Sequence, residues 1–232
     1  MKLGLIGDIH GNNLALEAVL DSAEKQDVEL LLITGDIVGY YFWPKEVMTL
    51  LSSWDTIAVR GNHEEMLDKT RKNSSIMNII EHKYGCGLRI TLNTLPVEQL
   101  DWLTTLPHPR EIYIDGSRIL LCHGSPWDLN QYIYPDCEND TIKRFLGMNF
   151  DWIVFGHTHY PMILNYGTTI IINPGSVGQP RNREPGAHWA IIDTTSQQIQ
   201  KFIEAYDVDK VVEQARIREP NLPYLGDVLV RI

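Results

Sequence analysis

The stretch Gly7-Asp8-Ile9-His10-Gly11-Asn12 decides how this chain is read. An apolar run at residues 2–6 leads into it, and a helical pattern starts at Asn13. The local path is strand, tight turn, helix. Asp8 and His10 sit just past the strand end, where residues i and i+2 can point the same way. A carboxylate and an imidazole converging there make half of a site for a divalent cation that takes mixed oxygen and nitrogen ligands. Gly7 and Gly11 let the backbone turn tightly around it. Taken alone the stretch is also an ordinary turn, since Asp and Gly commonly follow strands. Its surroundings choose between the two readings.

Residues 13–25 carry Leu14, Ala18, Val19 and Ala23 at helical spacing, so an amphipathic helix is expected. Residues 28–34 are a continuous apolar run, a second buried strand. Strand, helix and strand within about 30 residues make a βαβ unit with neighbouring parallel strands. Pro44 opens a second helix, and residues 56–59 form a third short strand. Residues 65–106 are mainly helical, with helices at 74–83 and 96–104 and a break at Gly85 and Gly87. This region is expected to be a flanking layer or lid. The chain then becomes rich in hairpins. Residues 111–114 and 118–122 flank Asp115-Gly116, a strong hairpin turn. Residues 152–155 are a buried strand, 162–165 and 169–172 flank Gly167, and 189–193 pairs with 198–205. A helix at 208–218 precedes a proline-led apolar tail. Without repeats or a linker, one domain over residues 1–232 is expected, built as two packed sheets with helices outside.

The totals exclude several classes. At 44% hydrophobic and 22% charged, the 232 residues have ordinary globular composition. No run approaches the roughly 20 apolar residues that span a bilayer. Gly7-Asp8 arrives too early for a signal-peptide apolar core of about 7–15 residues. Cys86, Cys122 and Cys137 are odd in number and widely spaced, which argues against a disulfide framework or a thiolate zinc site. A cytoplasmic protein is expected. The net charge of −10 argues against general nucleic-acid binding. A small phosphate ester remains a suitable substrate if metal ions supply local positive charge.

Four further stretches repeat the pattern of the first. Residues 35–40 read GDIVGY, 61–64 GNHE, 122–126 CHGSP and 156–159 GHTH, each directly after an expected buried strand. Strands running the same way deliver such loops to one sheet edge, where α/β proteins keep their sites. Five of the eight histidines lie in these stretches. His82, His108 and His188 lack that context and are read as surface or packing residues. The candidate ligands are Asp8, His10, Asp36, Asn62, His123, His157 and His159. Oxygen and nitrogen donors without thiolate favour Mn, with Fe, Zn, Ni or Co as the other fits. Seven ligands are too many for one tetrahedral zinc. They suit two divalent ions sharing a carboxylate, about 3.5–4 Å apart, which can hold a nucleophilic hydroxide and clamp phosphoryl oxygens.

In this order the motifs resemble those of the calcineurin-like metallophosphoesterase superfamily. Asn173-Pro174-Gly175-Ser176-Val177-Gly178-Gln179-Pro180-Arg181 resembles a stretch of its small bacterial and archaeal phosphodiesterase-like members. The resemblance implies an α/β four-layer αββα sandwich, two mixed β-sheets flanked by helices. It also implies a first metal held by Asp8, His10, Asp36 and His159, and a second by Asp36, Asn62, His123 and His157. His63 is then the catalytic histidine, whose protonated ring can stabilise phosphoryl charge or protonate the leaving oxygen. Glu64 can orient His63 or serve as a first-turn helix acid. The implied activity is a phosphodiesterase, with phosphomonoesterase, dinucleoside polyphosphate hydrolase or protein phosphatase as alternatives on the same site. A non-catalytic interaction scaffold of the same fold is the alternative from another class. The complete ligand set argues against it.

Tyr40-Tyr41-Phe42-Trp43 departs from those relatives, which often continue here with Gly and polar residues. In an extended loop, alternation puts Tyr41 and Trp43 on one face. There they can stack on an aromatic leaving group such as a nucleobase. The other reading packs the run beneath the helices of residues 65–106.

Overall fold

The computed structural model describes all residues from Met1 to Ile232. Its first sheet runs β10-β9-β1-β2-β3 and its second β4-β5-β6-β8-β7, numbered in chain order. In the first, β1 (Lys2–Ile6) pairs in parallel with β2 (Leu30–Ile33), which pairs in parallel with β3 (Thr56–Ala58). The antiparallel hairpin β9 (Ala187–Asp193) and β10 (Gln198–Glu204) closes the other side of β1. In the second, β5 (Ser117–Leu121), β6 (Trp152–Val154) and β8 (Ile170–Asn173) are parallel. The strands β4 (Arg110–Ile114) and β7 (Met162–Asn165) are antiparallel edges. Both sheets are mixed.

Alternation along the strands builds the layers. Leu3, Leu5 and Leu32 point inward and meet Ile119, Leu121, Trp152, Val154 and Ile172 between the sheets. Ile6, Leu31 and Ile33 point outward under α1 (Asn13–Lys25) and α2 (Pro44–Leu51). Leu120, Ile153 and Ile171 lie on the far face with Ile142 and Phe145 of α7 (Asn139–Leu146). The result is an αββα sandwich. In α1 the buried stripe is Ala15, Leu16, Val19, Leu20 and Ala23, while Leu14 and Ala18, expected to mark it, lie half-buried at its edge.

The helical region between β3 and β4 is more finely divided than the sequence indicates. The helix α3 (Asn62–Lys72) starts on the site motif itself, with Gly61 as its cap. A short 3-10 turn (Ser74–Ile76) and α4 (Met77–Tyr84) replace the single helix expected at 74–83. Gly87 does not break the chain; it opens α5 (Gly87–Thr94), which precedes α6 (Val97–Thr105). A Cβ at 87 would lie 2.7 Å from Gly39 C and 2.8 Å from Tyr40 N. The glycine is there so that α5 can press against the loop after β2. The apolar tail also folds: α8 (Val208–Arg218) and α9 (Tyr224–Asp227) cover Tyr41 and Phe42. No helix is long and apolar enough to cross a membrane.

Candidate metal centre

The C-terminal ends of β1, β2, β3, β5 and β6 converge, so the loops of both sheets interlock. His157 N–H donates to Asp8 Oδ2 at 3.1 Å, and His123 Nδ1 donates to Thr34 O at 2.8 Å. Five of the expected ligands hold a left-handed backbone: Asp8 (φ 49°), His10 (53°), Asp36 (52°), His157 (68°) and His159 (61°). Such conformations are costly for residues with a Cβ and gather where side chains must be aimed. Here they turn polar side chains inward at the ends of apolar strands. Asp8, His10 and His123 are fully buried, and Asp36, His157 and His159 nearly so.

The tautomers follow from the outer hydrogen bonds. His123 Nδ1, His157 Nε2 and His159 Nδ1 face the carbonyls of Thr34, Asn130 and Gln179 at 2.8, 3.2 and 2.6 Å, so each nitrogen carries the proton. The opposite nitrogen of each ring therefore presents a lone pair. His123 Nε2 lies 2.9 Å from Asn62 Oδ1, 3.0 Å from His157 Nδ1 and 3.5 Å from Asp36 Oδ2. His159 Nε2 lies 3.1 Å from His10 Nε2 and 3.4 Å from Asp8 Oδ1. Around His123 Nε2 acceptors therefore face acceptors, and they repel one another unless a cation sits among them. Ligating histidines are typically oriented by this kind of outer bond.

Electrostatics lead to the same conclusion. Burial pushes the Asp8 carboxyl well above its ordinary range, and the Asp36 charge adds to the effect. Burial raises Asp36 to about 7, against the opposing pull of the His63 N–H and Arg181. Burial lowers His123 to about 4 and His157 to about 3, and holds His10 and His159 well below the histidine range. Neutral imidazoles with free lone pairs beside carboxylates in want of positive charge fit divalent metal. Three groups bring their donor atoms close together: Asp8 with His10 and His159, Asp36 with His123 and His157, and His10 with Asp36 and His63. Asp36 Oδ2 stands between them, 3.7 Å from His10 Nε2 and 3.5 Å from His123 Nε2.

His63 donates its backbone N–H to Asp36 Oδ1 at 2.8 Å. Its ring lies among His10, Tyr40 and Tyr84, with centroids 4.7, 4.7 and 5.2 Å away. Burial first, then His123 and Arg181, holds it well below the usual pKa, which favours a neutral ring over the protonated one expected from sequence. Glu64 does not orient His63. Its carboxylate accepts the backbone N–H groups of Gly61, Asp36, Ile37 and Val38 at 2.9, 2.9, 2.8 and 3.2 Å. It ties the start of α3 to the Asp36 loop.

The cleft above these groups is narrow and is walled by Tyr40, Tyr84, Tyr132 and Arg181. Tyr41 and Trp43, expected to face it, do not line it. The loop is not extended: Gly39 (φ 101°) and Tyr40 (φ 45°) turn the chain and shift the alternation by one residue. Tyr40 therefore meets His10 at 4.6 Å, while Tyr41 is fully buried and Trp43 packs against Phe42 among the residues of α8 and α9. The aromatic run is thus a satellite core, but mainly under the C-terminal helices. Arg181 was visible in its glycine-rich motif without a role. Tyr84 and Tyr132 carried no sequence signal. Of the histidines without a motif, His82 is exposed and His188 is buried with Nε2 on Glu184 O. Neither they nor His108 join the clusters.

The model of the calcineurin-like phosphoesterase superfamily domain matches residues 1–197. An uncharacterized protein of Methanocaldococcus jannaschii is 30% identical, with 98% of this chain and 96% of the other covered. The phosphodiesterase YfcE of Escherichia coli is 26% identical over 81% of this chain and 85% of its own. The crystal structure of a metallophosphoesterase from Sphaerobacter thermophilus superposes with a TM-score of 0.79 at 29% identity, covering 100% and 99% of the two chains. With its motifs at converging strand ends and its matched sequence spanning most of its length, this chain belongs to the calcineurin-like phosphoesterase superfamily and is a metal-dependent phosphoesterase.

Proposed function

We propose that the protein hydrolyses phosphodiesters at a dinuclear centre. Asp8, His10, Asp36 and His159 hold one divalent ion, and Asp36, Asn62, His123 and His157 hold the other. The position of Asp36 Oδ2 between the two histidine groups, at 3.7 and 3.5 Å, carries this reading. Bound divalent ions, Mn first among the fits, supply Lewis acidity and an activated water at neutral pH. The chain's own groups do the remainder. Thr34, Asn130 and Gln179 fix the imidazole tautomers, and Glu64 fixes the loop of Asp36. His63, anchored on Asp36 and lining the cleft, donates a hydrogen bond from its neutral ring to the phosphoryl oxygens as charge develops on them. Diester rather than monoester cleavage is supported by the named activity of the E. coli relative. The cleft, walled by Tyr40, Tyr84, Tyr132 and Arg181, supports a small ester over a protein substrate. Three unpaired cysteines support a reducing, cytoplasmic setting.

The test is a hydrolysis screen of the metal-reconstituted protein over model diesters, monoesters, nucleotides and phosphoproteins, with elemental analysis alongside. Two metals per chain and preference for a diester are expected. One metal with full activity would refute the dinuclear assignment. Monoester preference would refute the diester one, and an inert reconstituted protein would leave the scaffold reading.

A further inference from the structure

Of the residues walling the cleft, Arg181 alone carries a permanent positive charge. The arginine–carboxylate pairs in this chain are Arg71–Asp101, Arg89–Glu81 and Arg118–Glu111; Arg181 is in none of them. Its hydrogen bonds are one-sided. Nε and Nη2 donate to Gln179 Oε1 at 3.3 and 2.9 Å, and Nη2 donates to Tyr40 Oη at 3.2 Å. Both Nη1 protons lack a protein partner, and Nη1 is not among the sealed, unpartnered atoms. A guanidinium held by one edge, with the other open to a cleft beside candidate metal ligands, matches the oxygen geometry of a phosphoryl group.

The supports of Arg181 trace back to the C-terminal segment. Gln179 Nε2 donates to Tyr41 Oη at 3.3 Å, and Tyr41 Oη donates to Leu225 O in α9 at 3.0 Å. Arg231 Nη2 donates to the Arg181 carbonyl at 3.0 Å. Leu225 and Arg231 lie beyond the matched family domain, which ends at residue 197. We infer that Arg181 binds a non-bridging oxygen of the substrate phosphoryl group through Nη1, and that Gln179, Tyr41 and the C-terminal helices position it. The inference rests on the proposed phosphodiesterase reading and adds an anion-binding residue and its positioning relay. Tyr41, placed on the cleft face by sequence, acts from behind through its hydroxyl.

Titration calorimetry of inorganic phosphate into the metal-reconstituted protein tests this, with KM and kcat for a small alkyl diester measured in parallel. Arg181→Gln should weaken phosphate binding and raise KM by about 10- to 100-fold, the range of a lost charge-assisted hydrogen bond, with metal content unchanged. Arg181→Lys keeps the charge without the fork and should fall between. Tyr41→Phe should weaken phosphate by roughly 3-fold in the wild-type background and have no effect beside Arg181→Gln, because interacting residues are non-additive. An equal effect in both backgrounds would make Tyr41 merely structural and overturn the relay. Phosphate affinity within twofold of wild type in Arg181→Gln would overturn the anion site; if that variant fails to fold, Arg181→Lys binding phosphate as wild type does the same. A wild-type protein that binds phosphate through Arg181 yet cleaves no diester would refute the phosphodiesterase reading and leave the anion site standing.

Discussion

Asp36 and His63 are neighbours in space with different tasks, and substitution separates them. Asp36 Oδ2 faces histidines of both groups, while Oδ1 is occupied by the His63 N–H. Asp36→Ala should therefore cost more bound metal than any single histidine change, as read by elemental analysis. Loss confined to one metal would end its bridging assignment. His63→Ala should keep both metals and lower kcat by about 10²-fold, the usual share of a preorganised hydrogen-bond donor. Metal loss in that variant would make His63 a ligand. At this scale the seven candidate ligands were legible because metal ligation restricts residue type, and each stood directly after an apolar run. The cleft walls were not. Tyr40 replaced Tyr41 because two left-handed residues, at 39 and 40, reset an alternation that assumes extended backbone. Tyr84, Tyr132 and Arg181 reach the cleft only through tertiary packing.

Elements hold the site through contacts that look incidental in sequence. The carboxylate of Glu64 on α3 gathers four backbone donors, three of them from the Asp36 loop. Glu64→Gln would turn an NH2 group toward those donors and leave at least one buried N–H unpaired, at about 1–3 kcal/mol. At roughly 2–4 °C per kcal/mol for a chain of this size, a melting temperature lowered by several degrees is expected, with reduced metal retention. Wild-type values for both would show that the loop holds itself. Gly87 sets two effects against each other. Alanine is a better helix former than glycine by about 1 kcal/mol, so propensity alone predicts stabilisation of α5. The added Cβ would stand 2.7–2.8 Å from backbone atoms of residues 39–41. Overpacking of that kind costs about 1–3 kcal/mol, and backbone cannot rotate away as a side chain can. Gly87→Ala should lower the melting temperature and raise KM through a displaced Tyr40; a rise in melting temperature would mean α5 shifts freely. Composition marked Gly87 as a breaker because helix propensity is local, whereas the close approach it permits involves a loop almost fifty residues earlier.

For the whole molecule, the site is a concentrated electrostatic liability when metal is absent. The fold brings Asp8, Asp36 and Glu64 out of water together, and burial raises Asp36 to about 7 and Glu64 to about 7 from unfolded values near 3.8 and 4.5. The sign is that of acids with raised folded-state pKa values. Taken by themselves these carboxylates bind more protons folded than unfolded between pH 4 and 7 and make metal-free stability fall as pH rises, while the buried site histidines, held below their ordinary range, act in the opposite sense. Bound divalent ions reverse the balance, because they favour the ionised carboxylates and bind the folded state selectively. A ligand at 100 times its dissociation constant adds about 2.7 kcal/mol, so two such ions are worth about 5 kcal/mol. At roughly 2–4 °C per kcal/mol, chelation at pH 7 should lower the melting temperature by about 10–20 °C. The same treatment at pH 5 should lower it by less, because protons compete with the ions for the carboxylates and imidazoles and metal affinity falls. Asp36→Asn makes the test specific: the charge disappears while a side-chain oxygen remains to accept the His63 N–H. Without metal at pH 7 the variant should melt above the wild type, and with metal it should melt below. Denaturation curves of both proteins at the two pH values, with and without chelator, decide the matter. If the wild type is the more stable of the two under every condition, the carboxylates are not strained by their burial, and the case for metal as the missing positive charge loses its electrostatic half.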